Sequence, residues 1–186
     1  MLGLGGGLSI GDALYRQDPF FEYNSDFTSS VDGWADGGST EGGTISLAYN
    51  QSIGGEDGWL KATYPATNQT NTSSITNSNA LDATDEVGDV AVVNFKVYFL
   101  GDENTWSGTS NNGVLGFFAT SLLPTAPAYF QNATLNQIES FKVDFGPDAD
   151  GSYNDFVTLF LGYGGDLPLA NAVFYIKDIN VKLYRN

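Results

Sequence analysis

The side chains here that can do chemistry are 22 carboxylates, seven basic groups and a large aromatic set of 13 Phe, ten Tyr and three Trp. There is no His and no Cys. The missing imidazole removes the commonest general base and the commonest transition-metal ligand. The missing thiol removes disulfides and thiolate metal sites. No Ser-His or Cys-His pair can exist, and no Gly-Lys-Ser/Thr phosphate loop occurs. A carboxylate pair could hydrolyse a glycoside, but 22 acidic residues nominate no particular pair. A non-enzymatic chain is expected. The chemistry left is recognition, with aromatic faces to stack on sugar rings, amides and lysines to meet hydroxyls, and carboxylates for hard cations.

Two places fit that chemistry. Trp106 lies in the polar run 102–108, where an indole flanked by hydrogen-bonding side chains suits a sugar ring. Asn94, Lys96 and Tyr98 occupy alternate positions of one strand and so share its polar face. The run 148–155 resembles part of a calcium loop. Aligned as an EF-hand it puts Gly146 and Val157 at positions that require carboxylates, so an acidic hairpin turn is expected. Asn50, Asn68, Asn71 and Asn132 match the glycosylation sequon, which an Asn/Thr-rich composition produces by chance.

The net charge of −15 argues against nucleic-acid phosphates and anionic lipid as partners. No segment is long and apolar enough to span a bilayer, so no membrane insertion is expected. At 186 residues and 41% apolar composition the chain can bury one full-sized core.

The elements that must position these residues are strands. In 90–99, Val93, Phe95, Val97 and Phe99 alternate with Asn94, Lys96 and Tyr98, the period of a half-buried antiparallel strand. Phe141, Val143 and Phe145 alternate in the same way, and so do Ile45 and Leu47. Residues 58–64 and 114–119 read as further strands, and 156–161, apolar throughout, as a central one. In 173–184 the parity slips at Lys177-Asp178, predicting a β-bulge that keeps both halves facing the core. Residues 65–89 read as a long polar loop with at most one exposed edge strand. Short strands separated by Gly, Asn and Asp turns imply a sandwich or a barrel. Residues 1–19 form a Gly/Leu-rich arm ahead of a single domain, 20–186. Leu2, Leu4, Leu8 and Ile10 make the arm a candidate assembly element, since a free tail has no use for them.

Three segments resemble the carbohydrate-binding modules of the family 4, 9 and 22 type. Residues 24–34 resemble their Asn-x-x-Phe opening followed by Asp-Gly-Trp. Residues 58–63 resemble their next strand, and 174–181 their last, with its Ile-Asp-Asp-Val pattern. The resemblance implies an all-β, two-sheet antiparallel jelly-roll sandwich, of the kind shared with galactose-binding domains. It also implies core packing for Trp34 and Trp59, a glycan cleft on the concave sheet, for which Tyr98, Asn94 and Lys96 are the corresponding residues, and a structural calcium near Asp26 and Asp178. Lys177 departs from the family pattern by replacing an acidic residue, and its ammonium would weaken such a site.

The arm, 1–11, resembles the short Leu/Gly-rich openings of small structural proteins of marine tailed phages. From this follows the leading expectation: a structural or decoration protein of a virus particle. Its arm would dock to other virion proteins or to copies of itself, and its sandwich would face outward toward a surface glycan. The expected location is the virion, after synthesis in host cytoplasm without a signal peptide, with an extracellular protein as the alternative. A free-standing carbohydrate-binding module of a cellular organism is the second expectation. A jelly-roll polysaccharide hydrolase or lyase, disfavoured by the lack of His, is the third.

Overall fold

The structure, a computed structural model, describes residues 18–39, 44–64, 73–77, 89–102, 115–119, 128–130, 134–145, 157–161 and 171–185. The arm with Leu2, Leu4, Leu8 and Ile10, the candidate Trp106 and the acidic run 148–155 lie outside the described residues. Among the described residues there are eleven strands, and no helix is long and apolar enough to cross a membrane.

The strands are β1 (Phe21–Ser25), β2 (Ala35–Ser39), β3 (Ser46–Ile53), β4 (Glu56–Thr63), β5 (Ser73–Asn77) and β6 (Val90–Leu100). They continue with β7 (Leu115–Ala119), β8 (Ala128–Phe130), β9 (Glu139–Phe145), β10 (Val157–Leu161) and β11 (Val173–Tyr184). They form two antiparallel sheets. One has six strands in the order β3-β4-β11-β6-β9, with β1 also on β11. The other has five, in the order β2-β5-β10-β7-β8.

The two long strands β6 and β11 are the spine of the six-stranded sheet. Their alternation carries Val93, Phe95, Val97 and Phe99 from one, and Phe174 and Ile176 from the other, into the core between the sheets. Phe99 and Phe174 pack with ring centroids 6.2 Å apart. The predicted bulge is present: the β11–β6 register shifts between Lys177 and Asn180, and Asp178 sits at φ 54°. Asp tolerates this left-handed conformation better than most residues. The extra residue resets the parity, so Ile179, Val181 and Leu183 are as fully buried as Ile176.

Strand β5 departs from expectation. The polar composition of 65–89 predicts a long loop with at most one exposed edge strand, yet β5 lies inside its sheet, hydrogen-bonded to both β2 and β10. Its polar sequence hid one inward apolar residue, Ile75, and one inward amide, Asn77, both fully buried. The buried amide is satisfied, as it must be. Asn77 Nδ2 donates to the Tyr23 hydroxyl and to the Asp32 carbonyl, both at 2.7 Å. Trp34 Nε1 donates to the Tyr23 hydroxyl and to Ser25 Oγ, both at 3.1 Å. This buried polar joint ties β1 of one sheet to β5 of the other through the Asp-Gly-Trp turn.

The turn itself is held by a carboxylate. Asp32 Oδ2 accepts from the backbone N–H groups of Asp26 and Phe27, each at 3.1 Å. These bonds stabilise Phe27 at φ 52°, an uncommon conformation for a bulky residue, and its ring is fully buried.

Candidate functional site

The outer face of the six-stranded sheet gathers the predicted strand residues and several that the sequence did not single out. Residues opposite in parity to the core make lateral rows across it. Lys61 of β4, Tyr175 of β11 and Tyr98 of β6 form one row. Lys177, Lys96 and Ser140 form the next. Asn180, Asn94 and Lys142 form the third, beyond the bulge. Asn94, Lys96 and Tyr98 therefore do share a face, as expected.

Tyr98 and Tyr175 pack edge to face, with ring centroids 6.0 Å apart and planes at 71°. Both are half-buried. Burial, and then the neighbouring Tyr98, push the Tyr175 phenol above its ordinary range. Lys96 Nζ lies 3.0 Å from Glu56 Oε2 and 3.2 Å from Asp178 Oδ2, while Lys177 Nζ lies 3.3 Å from the same Glu56 oxygen. The hydrogen bonds from Lys96 and Lys177 hold the Glu56 carboxyl below its ordinary value. Those from Glu56 and Asp178 raise the Lys96 ammonium. Beyond the bulge, Asn180 Nδ2 donates to Glu22 Oε1 at 2.8 Å and to Asn24 Oδ1 at 2.7 Å, and Lys182 Nζ lies 3.4 Å from Glu22.

Glu56 reaches this face because the β3–β4 hairpin folds across it. The bend is at Gly58, at φ 81°, where a Cβ would stand 2.7 Å from the Asp26 carbonyl oxygen. Past the bend the turn carries Gly54 to within 2.9 Å, measured from the position of a Cβ, of Ile138 Cδ1. Ile138 directly precedes β9, at the far edge of the sheet from β3. Trp59 is fully buried, but it is not part of the core between the sheets. It has the parity of Lys61, opposite to Leu60 and Ala62, and Lys177 Nζ lies 6.0 Å from its ring centroid. Its indole Nε1 is buried without a hydrogen-bond partner among the described residues.

The two residues that the resemblance tied to calcium flank the last β1–β11 partners, Asp26 following Ser25 and Asp178 preceding Ile179. The donor set does not fit the cation. Lys96 sets an ammonium 3.2 Å from Asp178 Oδ2, and Asp26 Oδ1 is taken by the Thr28 N–H and hydroxyl at 3.0 and 2.9 Å. Among the described residues no group of three or more acidic side chains gathers.

The residues missed from sequence, Lys61, Tyr175, Lys177, Asn180 and Glu56, had a partial signal. The parity slip in β11 already put Tyr175 and Lys177 opposite the core. Which strands stand side by side, and the fold of the hairpin over the face, had none.

No family model and no curated protein sequence matches the chain. Solved structures do. The CBM22-2 xylan-binding domain of Xyn10C from Paenibacillus barcinonensis superposes with a TM-score of 0.50 at 13% identity, over 86% of this chain and 98% of that one. The xylan-binding module CBM15 gives 0.53 at 12% identity, over 89% and 98%. The enzymatically active domain of tailspike protein 4 of bacteriophage CBA120 gives 0.53 at 9% identity, over 86% of this chain but 20% of that one. With two antiparallel sheets and these neighbours, the chain has the jelly-roll sandwich fold of the carbohydrate-binding modules.

Proposed function

We propose that this chain is a non-catalytic glycan-binding module whose binding surface is the outer face of the six-stranded sheet. The observation that carries the reading is the half-buried Tyr98–Tyr175 pair, set in one row with Lys61 and beside Lys96 and Lys177. Tyrosine rings offer a stacking surface to a sugar, and the surrounding ammonium and amide groups offer donors to its hydroxyls. Affinity electrophoresis of the full chain against a panel of soluble polysaccharides tests it. Retardation by at least one polysaccharide is expected. Tyr98→Ala and Tyr175→Ala should each weaken it by about tenfold, the loss of roughly one stacking contact. A chain that no polysaccharide retards, or variants that bind like the parent, would sink the reading.

The second reading is that the module serves in a virus particle. What supports it is the likeness to part of a phage tailspike chain, together with the apolar residues of the arm. Light scattering of the full chain and of a variant with Leu2, Leu4, Leu8 and Ile10 all changed to Ser separates the two readings. Assembly that the variant loses supports docking through the arm. Monomers in both cases leave the free-standing module.

A further inference from the structure

We propose that the glycan is an anionic one, a uronate-bearing polysaccharide. Lys96 and Lys177 would hold one of its carboxylates in the place that Glu56 occupies in the unliganded chain. This rests on the glycan-binding reading and narrows it to a substrate class.

The first observation is where the lysines are. The chain has five, Lys61, Lys96, Lys142, Lys177 and Lys182, and all five lie on the outer face of this one sheet. The strands of the other sheet carry no basic residue. In a chain of net charge −15 this concentrates the cationic groups on the same face as the tyrosine pair. Glu22, Glu56 and Asp178 pair with Lys182, Lys96 and Lys177 on this face, so a polyanion there competes with the chain's own carboxylates, while charge farther off is screened beyond about 8 Å at physiological salt.

The second observation is how the centre of the face is filled. One oxygen of Glu56 is shared by Lys96 and Lys177 at 3.0 and 3.3 Å, the geometry of a carboxylate held between two ammonium groups. That carboxylate arrives from beyond the bend at Gly58, at the first residue of β4, where the strand pairs with Ile53 of β3 and not with β11. It can leave without breaking the β4–β11 pairing, because Glu56 is exchanged for a ligand carboxylate of the same charge and shape. In the next row, Lys61 has no acidic partner among the described residues and stands beside Tyr175. The third observation is Trp59. Its fully buried indole N–H has no acceptor among the described residues and lies on this face beside Lys177. A ligand oxygen that enters as the hairpin lifts would supply one.

The test uses the full chain with polygalacturonate, fully methyl-esterified polygalacturonate and neutral xylan, by titration calorimetry near physiological salt. The acid form should bind about tenfold or more tightly than its methyl ester, which keeps the sugar and loses the charge. Glu56→Gln, which removes the competing carboxylate, should bind the acid form about fivefold more tightly, as expected for one like charge withdrawn at about 4 Å in water. Lys61→Met, at a partly exposed site that leaves the core untouched, should bind it more weakly. Near-UV circular dichroism checks that each variant keeps the parent fold. Equal binding of acid and ester overturns the anionic assignment and leaves the glycan reading standing. Binding to none of the three overturns this inference, and the wider panel then decides the glycan reading. A Glu56→Gln variant that binds no more tightly overturns the exchange at Lys96 and Lys177. Self-association of the chain without glycan binding, abolished by Lys61→Met, would make a second copy the occupant and overturn the proposal.

Discussion

The two sheets share one core and are built from strands of very different length and charge. The six-stranded sheet has spine strands of 11 and 12 residues and carries every lysine of the chain on its outer side. The five-stranded sheet is built from strands of three to five residues rich in Gly, Ser, Thr and Phe, with Asp36 its only charged strand residue. The difference teaches how charge is distributed on a sandwich. Lysine can lay its aliphatic stem over a sheet while its ammonium reaches water or a carboxylate, so one face can carry a lattice of paired charges at little cost.

The comparison is broken most severely at the joint between the sheets. Trp34 is 2% exposed and hydrogen-bonds to Tyr23 and Ser25, in the polar network that Asn77 of β5 joins. Trp34→Ala removes a large core side chain and leaves the buried Ser25 hydroxyl and the partly buried Tyr23 hydroxyl each short of a donor. A loss of about 3–5 kcal/mol is expected in chemical denaturation. If the loss stays below about 1 kcal/mol, the sheets do not depend on this joint and each holds together by itself.

A smaller effect, confined to the lysine-bearing sheet, is expected from Gly58→Ala. The new Cβ would meet the Asp26 carbonyl oxygen at 2.7 Å in a conformation, φ 81°, that alanine disfavours. The hairpin must then straighten or the β1–β2 loop must shift, at a cost of about 1–3 kcal/mol. The sharper readout is tryptophan fluorescence. Trp59 is buried beside the hairpin and Trp34 lies in the core, so, with Trp106 changed to Phe in both chains, an emission shift to the red without loss of the fold reports that the hairpin has lifted. Unchanged emission and stability would show that the bend at Gly58 does not hold the hairpin down.

The sheets also differ in how far the sequence revealed them. Strand β6 was legible because its two faces have different chemistry, Val and Phe against Asn, Lys and Tyr, so the period of two stands out. The slip at Lys177-Asp178 was legible for the same reason, and it locates the bulge correctly. Strand β5 was not, because in Ser73–Asn77 the inward positions hold one Ile and one Asn, and a buried amide looks like a loop residue until its partners Tyr23 and Asp32 are known. Strands β2 and β8, with sequences ADGGS and AYF, gave no alternation at all. At the site, Tyr98, Lys96 and Asn94 were found from parity within one strand. Tyr175, Lys177 and Lys61 join them through lateral pairing, and Glu56 through the folded hairpin, neither of which a strand's own sequence encodes.

The smallest effect is electrostatic and belongs to the lysine-bearing face alone. Glu56 is held below its ordinary value of 4.5 by its hydrogen bonds from Lys96 and Lys177. A carboxyl depressed in the folded state contributes stability that is fully present above its unfolded value and is lost as pH falls through the folded one. Lys96, raised above 10.5 by Glu56 and Asp178, contributes in the opposite sense, losing its share as pH rises through its folded value. Between these limits the latch is fully charged. The parent chain should therefore hold a constant, small stability advantage over Glu56→Gln near neutral pH, where solvent and salt screen an exposed pair. That advantage should shrink as the pH drops below 4.5, because a protonated Glu56 and the neutral amide of the variant are then electrically alike. Parallel thermal melts of the two chains from neutral to acid pH check this. Curves that stay a fixed distance apart into acid would mean that Glu56 acts through packing of the hairpin and not through its charge.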